Sequence, residues 1–170
     1  SAATNDRVLD GVYIANNGSA GSGWGIEFQN SGTVGSTLRN AIVSGNQEQG
    51  IVVGSVGDGP TVIEDTTVSS NGSEAVLIAT DAESNISVTN SIIAGNGSSD
   101  ALNIIDHSGN GTFSMTNSAV VTAGPQSLNT SAPISGTVSQ SNVINDDPEF
   151  LNTVEPNSTS FFDVTGSAYE

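Results

Sequence analysis

A chain of 170 residues fits one domain of ordinary size, and its 35% hydrophobic residues suffice for a core if they gather on one face. Eighteen acidic residues face only Arg7 and Arg39, with no lysine, for a formal charge of −16; phosphate neutralisation needs clustered Lys or Arg, so the composition argues against nucleic acid as a partner. No run approaches the roughly 20 apolar residues of a membrane span, and the lack of cysteine leaves no record of redox compartment.

Only 5% of residues are aromatic, while Gly, Ser, Thr and Asn are abundant. A core of stacked rings is therefore not expected, and a β architecture with many corners is. The acidity reads as solubility, or as adaptation to a salty medium that screens self-repulsion, with specific cation binding as the alternative. The small-residue start at Ser1 fits a processed terminus or a boundary within a longer chain.

From Val8 onward the chain repeats. The first segment carries Leu9, Asp10, Gly11 and Ile14, and later Gly25 before Ile26. The second contains "NAIVSGNQEQGIVV", residues 40 to 53, with Leu38, Arg39, Asn40 and Val43, then Gly50 before Ile51. The third has Ile63, Glu64, Asp65 and Val68, then Ala75 before Val76. The fourth has Val88, Thr89, Asn90 and Ile93, then Ala101 before Leu102. The fifth has Met115, Thr116, Asn117 and Val120, then Ser127 before Leu128. The sixth is read as Ser139, Gln140, Ser141 and Ile144. Counted from Gly11, Asn40, Asp65, Asn90, Asn117 and Ser141, the spacings are 29, 25, 25, 27 and 24 residues.

Taken alone, the stretch at 40 to 53 looks like a hairpin. Strands that are separated by corners and recur at a fixed spacing pair instead with the rungs before and after, as parallel strands. Six coils at ~4.8 Å each predict a solenoid on the order of 25 to 30 Å long. The column Tyr13, Ile42, Thr67, Ile92, Ala119 and Val143 is expected to point outward, as strand-favouring residues or as a lateral contact stripe. It is too mixed for the regular threonine array of an ice-binding face. Asn46, Asn71 and Asn96, with Asn17 one longer rung earlier, are expected to form a ladder at a corner.

The segments "NAIVSGNQEQGIVV", "DTTVSSNGSEAVLI" and "NSIIAGNGSSDALNI" resemble the right-handed parallel β-helix repeat family. This is the pectate-lyase-like superfamily shared by pectin-degrading enzymes, phage tailspikes and many surface proteins. The resemblance covers roughly residues 8 to 145 and implies an all-β fold with a right-handed coil. The tail "DPEFLN…FFDVTGSAYE" is similar to a closing segment found after such repeats in secreted bacterial proteins. The expected organisation is a β-helix of about six coils over 1–147 and a capping or assembly tail over 148–170.

Chemistry is thinly marked. Relatives that cleave acidic polysaccharides by β-elimination need a basic residue beside Ca²⁺ held by carboxylates; here only Arg7 and Arg39 are basic, and a positive groove is missing. Hydrolytic relatives use converging Asp residues, which singles out Asp146 and Asp147, and Asp106 with His107, the only histidine. The same residues read more simply as turns and loops. Asp58, Asp81 and Glu83 are candidate Ca²⁺ ligands, although a set of six oxygens is not visible from spacing. Sequons stand at Asn17, Asn71, Asn85, Asn96, Asn110, Asn129 and Asn157.

A β-helix has strand edges at both ends that need covering. Residues 1 to 7 are too short and polar for a helical cap, whereas the tail holds Phe150, Leu151, Phe161 and Phe162. The expectation is a non-catalytic extracellular or cell-surface protein that self-associates end to end into a filament, stalk or layer, with no cofactor unless Ca²⁺ binds. The alternative is a carbohydrate-active domain, either a glycan-binding module or a lyase or hydrolase, using Tyr13, Trp24 and the Asp-rich loops.

Overall fold

The computed structural model describes residues 6–18, 23–31, 33–56, 59–78, 85–97, 102–104, 112–121, 129–130 and 138–144. Among them there is no helix, and every strand pairing is parallel. The chain forms a parallel β-solenoid.

The first rung contains β1 (Arg7–Asp10), β2 (Tyr13–Ala15) and β3 (Ile26–Ser31). The second contains β4 (Ser36–Arg39), β5 (Ile42–Ser44) and β6 (Ile51–Val56). The third contains β7 (Thr61–Glu64), β8 (Thr67–Ser69) and β9 (Val76–Ile78). Beyond these follow β10 (Ile86–Thr89), β11 (Ile92–Ala94), β12 (Leu102–Ile104), β13 (Phe113–Thr116), β14 (Ala119–Val121), β15 (Asn129–Thr130) and β16 (Val138–Ser141). The strands stack into three sheets, in the orders β1-β4-β7-β10-β13-β16, β2-β5-β8-β11-β14 and β3-β6-β9-β12-β15. About three turns have all three strands described with their side chains.

The stretch at 40 to 53 is thus not a hairpin. Ile42 pairs with Tyr13 and Thr67, and Ile51 pairs with Ile26 and Val76. Aliphatic residues recur at one register because the interior of each turn must be filled by the side chains of that turn. Leu38, Ile63, Val88 and Met115 form one inward column, and Val43, Val68, Ile93 and Val120 another; all are at most 1% exposed. Each such burial contributes roughly 1.5–3 kcal/mol against the chain entropy.

Two corners per rung require a left-handed residue. The first column is Gly11, Asn40, Asp65, Asn90, Asn117 and Asn142, with φ between 48° and 67°. The second is Asn16, Gly45, Ser70 and Gly95, with φ between 55° and 64°. Gly, Asn and Asp fill these places because they tolerate the left-handed region better than other residues.

The first column corrects the last rung. Ser141 pairs with Thr116, so Asn142, not Ser141, occupies the corner equivalent to Asn117. Every assignment in the sixth segment moves by one residue. Gln140, not Ser139, stands at the register of Met115. Ile144 pairs with Ala119 and is 60% exposed, so it continues the outward column rather than the inward one. Val143 packs against the core instead of pointing out. Residues 148–170, assigned to a tail, lie outside the described residues.

Candidate functional site

Among the described residues, three side-chain networks and the exposed apolar residues of the first rung are the features with chemical content. The asparagine column lies just after the second left-handed corner, where strand hydrogen bonding stops and backbone groups need side-chain partners. Asn17 Nδ2 donates to Asn46 Oδ1 at 3.0 Å, Asn46 Nδ2 to Asn71 Oδ1 at 2.8 Å, and Asn71 Nδ2 to Asn96 Oδ1 at 2.9 Å. Each of these oxygens also accepts the backbone N–H of the preceding asparagine, at 3.1 Å in all three cases. The amide nitrogens also donate back to carbonyls of the preceding rung, Asn46 Nδ2 to Ile14 O at 3.5 Å, Asn71 Nδ2 to Val43 O at 3.3 Å and Asn96 Nδ2 to Val68 O at 3.3 Å. Asn46 and Asn71 are wholly buried, and the ladder satisfies what burial would otherwise orphan.

The small column is shaped by this ladder. A Cβ on Gly50 would lie 2.7 Å from Asn71 Nδ2 and 2.8 Å from Val68 Cγ1. One on Gly25 would lie 2.7 Å from Asn46 Nδ2 and would also collide with Gly50 O. Glycine there is a matter of close approach, since neither residue has positive φ.

A second ladder went unread in the sequence. Thr66 N donates to Ser91 Oγ at 3.2 Å, and Ser91 N donates to Ser118 Oγ at 3.1 Å. Each hydroxyl in turn donates at 2.8 Å to a carbonyl two residues back: Thr66 to Glu64, Ser91 to Thr89, and Ser118 to Thr116. All three residues are buried. The available signal was their constant place one residue after the first left-handed corner.

On the outer face of the first sheet Asp10, Arg39 and Glu64 stand in register. Arg39 Nε donates to Asp10 Oδ2 at 2.9 Å and its Nη2 lies 2.8 Å from that oxygen, while Glu64 is 4.0 Å away. Asn40 Nδ2 donates to Asp10 Oδ1 at 2.8 Å. The Asn40 amide, and after it Arg39, hold the Asp10 carboxyl below its ordinary range. Arg7 Nη1 donates to Gln29 O at 3.1 Å. Both arginines, the only basic candidates for β-elimination, therefore have partners within the coil.

Several apolar side chains of the first rung are exposed. Leu9 is 38% exposed where Leu38, next in its column, is 0% exposed, and Val8, Tyr13 and Trp24 are also exposed. Arg7, Val8, Leu9, Ile26, Glu27 and Phe28, all from the first rung, line a recess of about 240 Å³. Partial desolvation by its neighbours pushes the Tyr13 phenol above its ordinary value.

Asp58, Asp81, Glu83, Asp106, His107, Asp146, Asp147, Phe150, Leu151, Phe161 and Phe162 lie outside the described residues, as do the sequons at Asn110 and Asn157. Among the described residues no group of three His, Cys, Asp or Glu side chains gathers to hold a metal ion. Asn85 is exposed, and its Oδ1 accepts from Thr112 Oγ1 at 2.7 Å. Asn129 begins β15. Asn71 differs in that its amide nitrogen is buried in the ladder.

No protein-family model, no curated protein and no solved structure matches the chain.

Proposed function

We propose that the protein is a non-catalytic structural subunit, extracellular or at a cell surface, built as a right-handed β-helix of six coils that stacks end to end into a filament, stalk or layer. The observation that supports this reading is the contrast within one inward column, where Leu9 is 38% exposed and Leu38 wholly buried. What covers Leu38 is the neighbouring rung, and a rung from a second copy would cover Leu9 in the same way. The acidic surface keeps such a rod soluble, and the Phe-bearing tail, residues 148–170, aids the joint.

Sedimentation and negative-stain imaging of the untagged protein test it. Rods or polymers are expected, and Leu9→Lys should disperse them while the β signature stays. A clean monomer at high concentration overturns the proposal. Deleting residues 148–170 is expected to abolish assembly, and unchanged assembly removes the role given to the tail.

Tyr13 and Trp24, 52% and 44% exposed, favour one second reading, a glycan-binding module that stacks sugars on aromatic faces. Titration with acidic and neutral oligosaccharides, followed by Trp24 fluorescence, distinguishes it.

A further inference from the structure

We infer that Asn17 is a site of spontaneous covalent modification, deamidation through a succinimide, which the coil suppresses at the equivalent positions further along. The triplet Asn-Gly-Ser occurs three times on the ladder column, at Asn17, Asn71 and Asn96. The reacting residues and the one that follows are identical, so differences among the three in the folded protein come from structure.

The nucleophile is the backbone nitrogen of the following glycine. At Asn71 it is held, because Gly72 N donates to Asn46 O at 2.8 Å; at Asn96 Gly97 N donates to Asn71 O at 2.7 Å. Both glycines also lie hard against the preceding rung, where a Cβ on Gly72 would collide with Gln47 O and one on Gly97 would lie 2.5 Å from Gly72 O. A nitrogen so bonded neither loses its proton to solvent nor swings toward its own asparagine side chain. Asn17 is in the first rung. Gly18 is exposed like Gly72 and Gly97, but it has φ of 101° and its N–H donates in no hydrogen bond among the described residues.

The step balances with water alone. Gly18 N gives its proton to solvent base and attacks Cγ of Asn17; the N–Cγ bond forms, Nδ2 takes a proton back from solvent, the Cγ–Nδ2 bond breaks, and ammonia leaves. Water then opens the five-membered imide to aspartate or isoaspartate. The product lacks the amide hydrogens that bond Asn46 Oδ1 at 3.0 Å and Gly25 O at 3.5 Å. A carboxylate oxygen then faces the oxygen of Asn46, and isoaspartate also lengthens the backbone at the corner. The outcome is a first rung that loosens with age, independent of the assembly proposed above.

The test is peptide mapping by mass spectrometry, with isoaspartate detection, after incubating the full chain in warm, mildly alkaline buffer, native and in denaturant. In the native protein Asn17 is expected to convert at least about tenfold faster than Asn71 and Asn96, the factor that holding one amide supplies. In denaturant the three rates should converge. Asn71 or Asn96 keeping pace with Asn17 in the native protein overturns the inference. So does a rate difference that survives denaturation, since sequence would then be its cause. The Asn17→Asp variant should reproduce the lowered thermal stability of the aged protein, and unaltered stability in both overturns the loosening.

Discussion

The side-chain amide of Asn46 donates to Asn71 Oδ1 at 2.8 Å, and the backbone N–H of Asn46 donates to the same oxygen at 3.1 Å. One buried oxygen thus satisfies two donors of the preceding rung. Asn71→Ala orphans both and is expected to lower the unfolding free energy by about 2–4 kcal/mol, read by urea denaturation. Asn71→Asp keeps an oxygen for Asn46 but buries a charge and loses the bond to Asn96, and should cost at least as much. A loss below about 1 kcal/mol in both would mean the ladder does not hold the corner.

Ser44 presents the opposite case. It is 0% exposed and its Oγ has no hydrogen-bond partner among the described residues, while Ala15 stands opposite it in the first rung. Ser44→Ala removes an unsatisfied hydroxyl without leaving a large cavity. Stability should rise by about 1 kcal/mol, and an unchanged or lowered melting temperature would contradict this.

Ser70 holds the left-handed corner at φ 55° between Gly45 at 64° and Gly95 at 62° in the adjacent rungs. Ser70→Gly relieves the Cβ strain and should stabilise by roughly 0.5–1 kcal/mol after the added unfolded-state entropy. Gly45→Ala should destabilise, and thermal melts of the pair read opposite signs.

Gly50→Ala tests the close approach of the small column to the asparagine ladder. The added methyl would lie 2.7 Å from Asn71 Nδ2 and 2.8 Å from Ala75 O, the latter a backbone atom held in its own rung. A loss of about 1–3 kcal/mol is expected in denaturant titrations. Tolerance without loss would show that the corner yields.

Asp10 makes stability depend on acid. Its carboxyl is held below the ordinary value by Asn40 first and Arg39 next, so the folded state binds the proton less readily than the unfolded chain. The stabilisation is present above the ordinary carboxylate range and fades as pH falls through the depressed folded value. Wild type should melt above Asp10→Asn at neutral pH, and the two should converge in strong acid. Because the site is exposed, added salt should shrink the gap.

The first three rungs were readable because each repeats the same demands at the same place. A left-handed residue, inward aliphatics and a small residue against the ladder cannot shift independently of one another. The sixth was misread because Val143 and Ile144 satisfy the hydrophobic pattern in either of two registers one residue apart. Asn142, the residue suited to the left-handed corner, decides between them. Thr66, Ser91 and Ser118 were hidden by abundance, since serine and threonine occur throughout the chain and only their constant place distinguishes them. Candidate ligands such as Asp58 and Asp81 lie outside the described residues. Core and corner residues are dictated by stacking; chemistry placed in the connections is not.

The strand hydrogen bonds of the coil run both ways along its axis: Gly25 N donates forward to Gln49 O, while Ile42 N donates back to Val12 O. The side-chain ladders do not alternate. From Asn17 through Asn46 and Asn71 to Asn96, and from Thr66 through Ser91 to Ser118, every donor to a ladder oxygen points toward the later rung, while the amide nitrogens also reach back to Ile14 O, Val43 O and Val68 O. Their dipoles add instead of cancelling, and each bond polarises the next. The asparagine stack is therefore an electrical arrow, with amide oxygen toward the first rung and hydrogen toward the last. Two such arrows set tip to tip would oppose like poles, so in the end-to-end stack proposed above the amide column would favour copies that all face the same way.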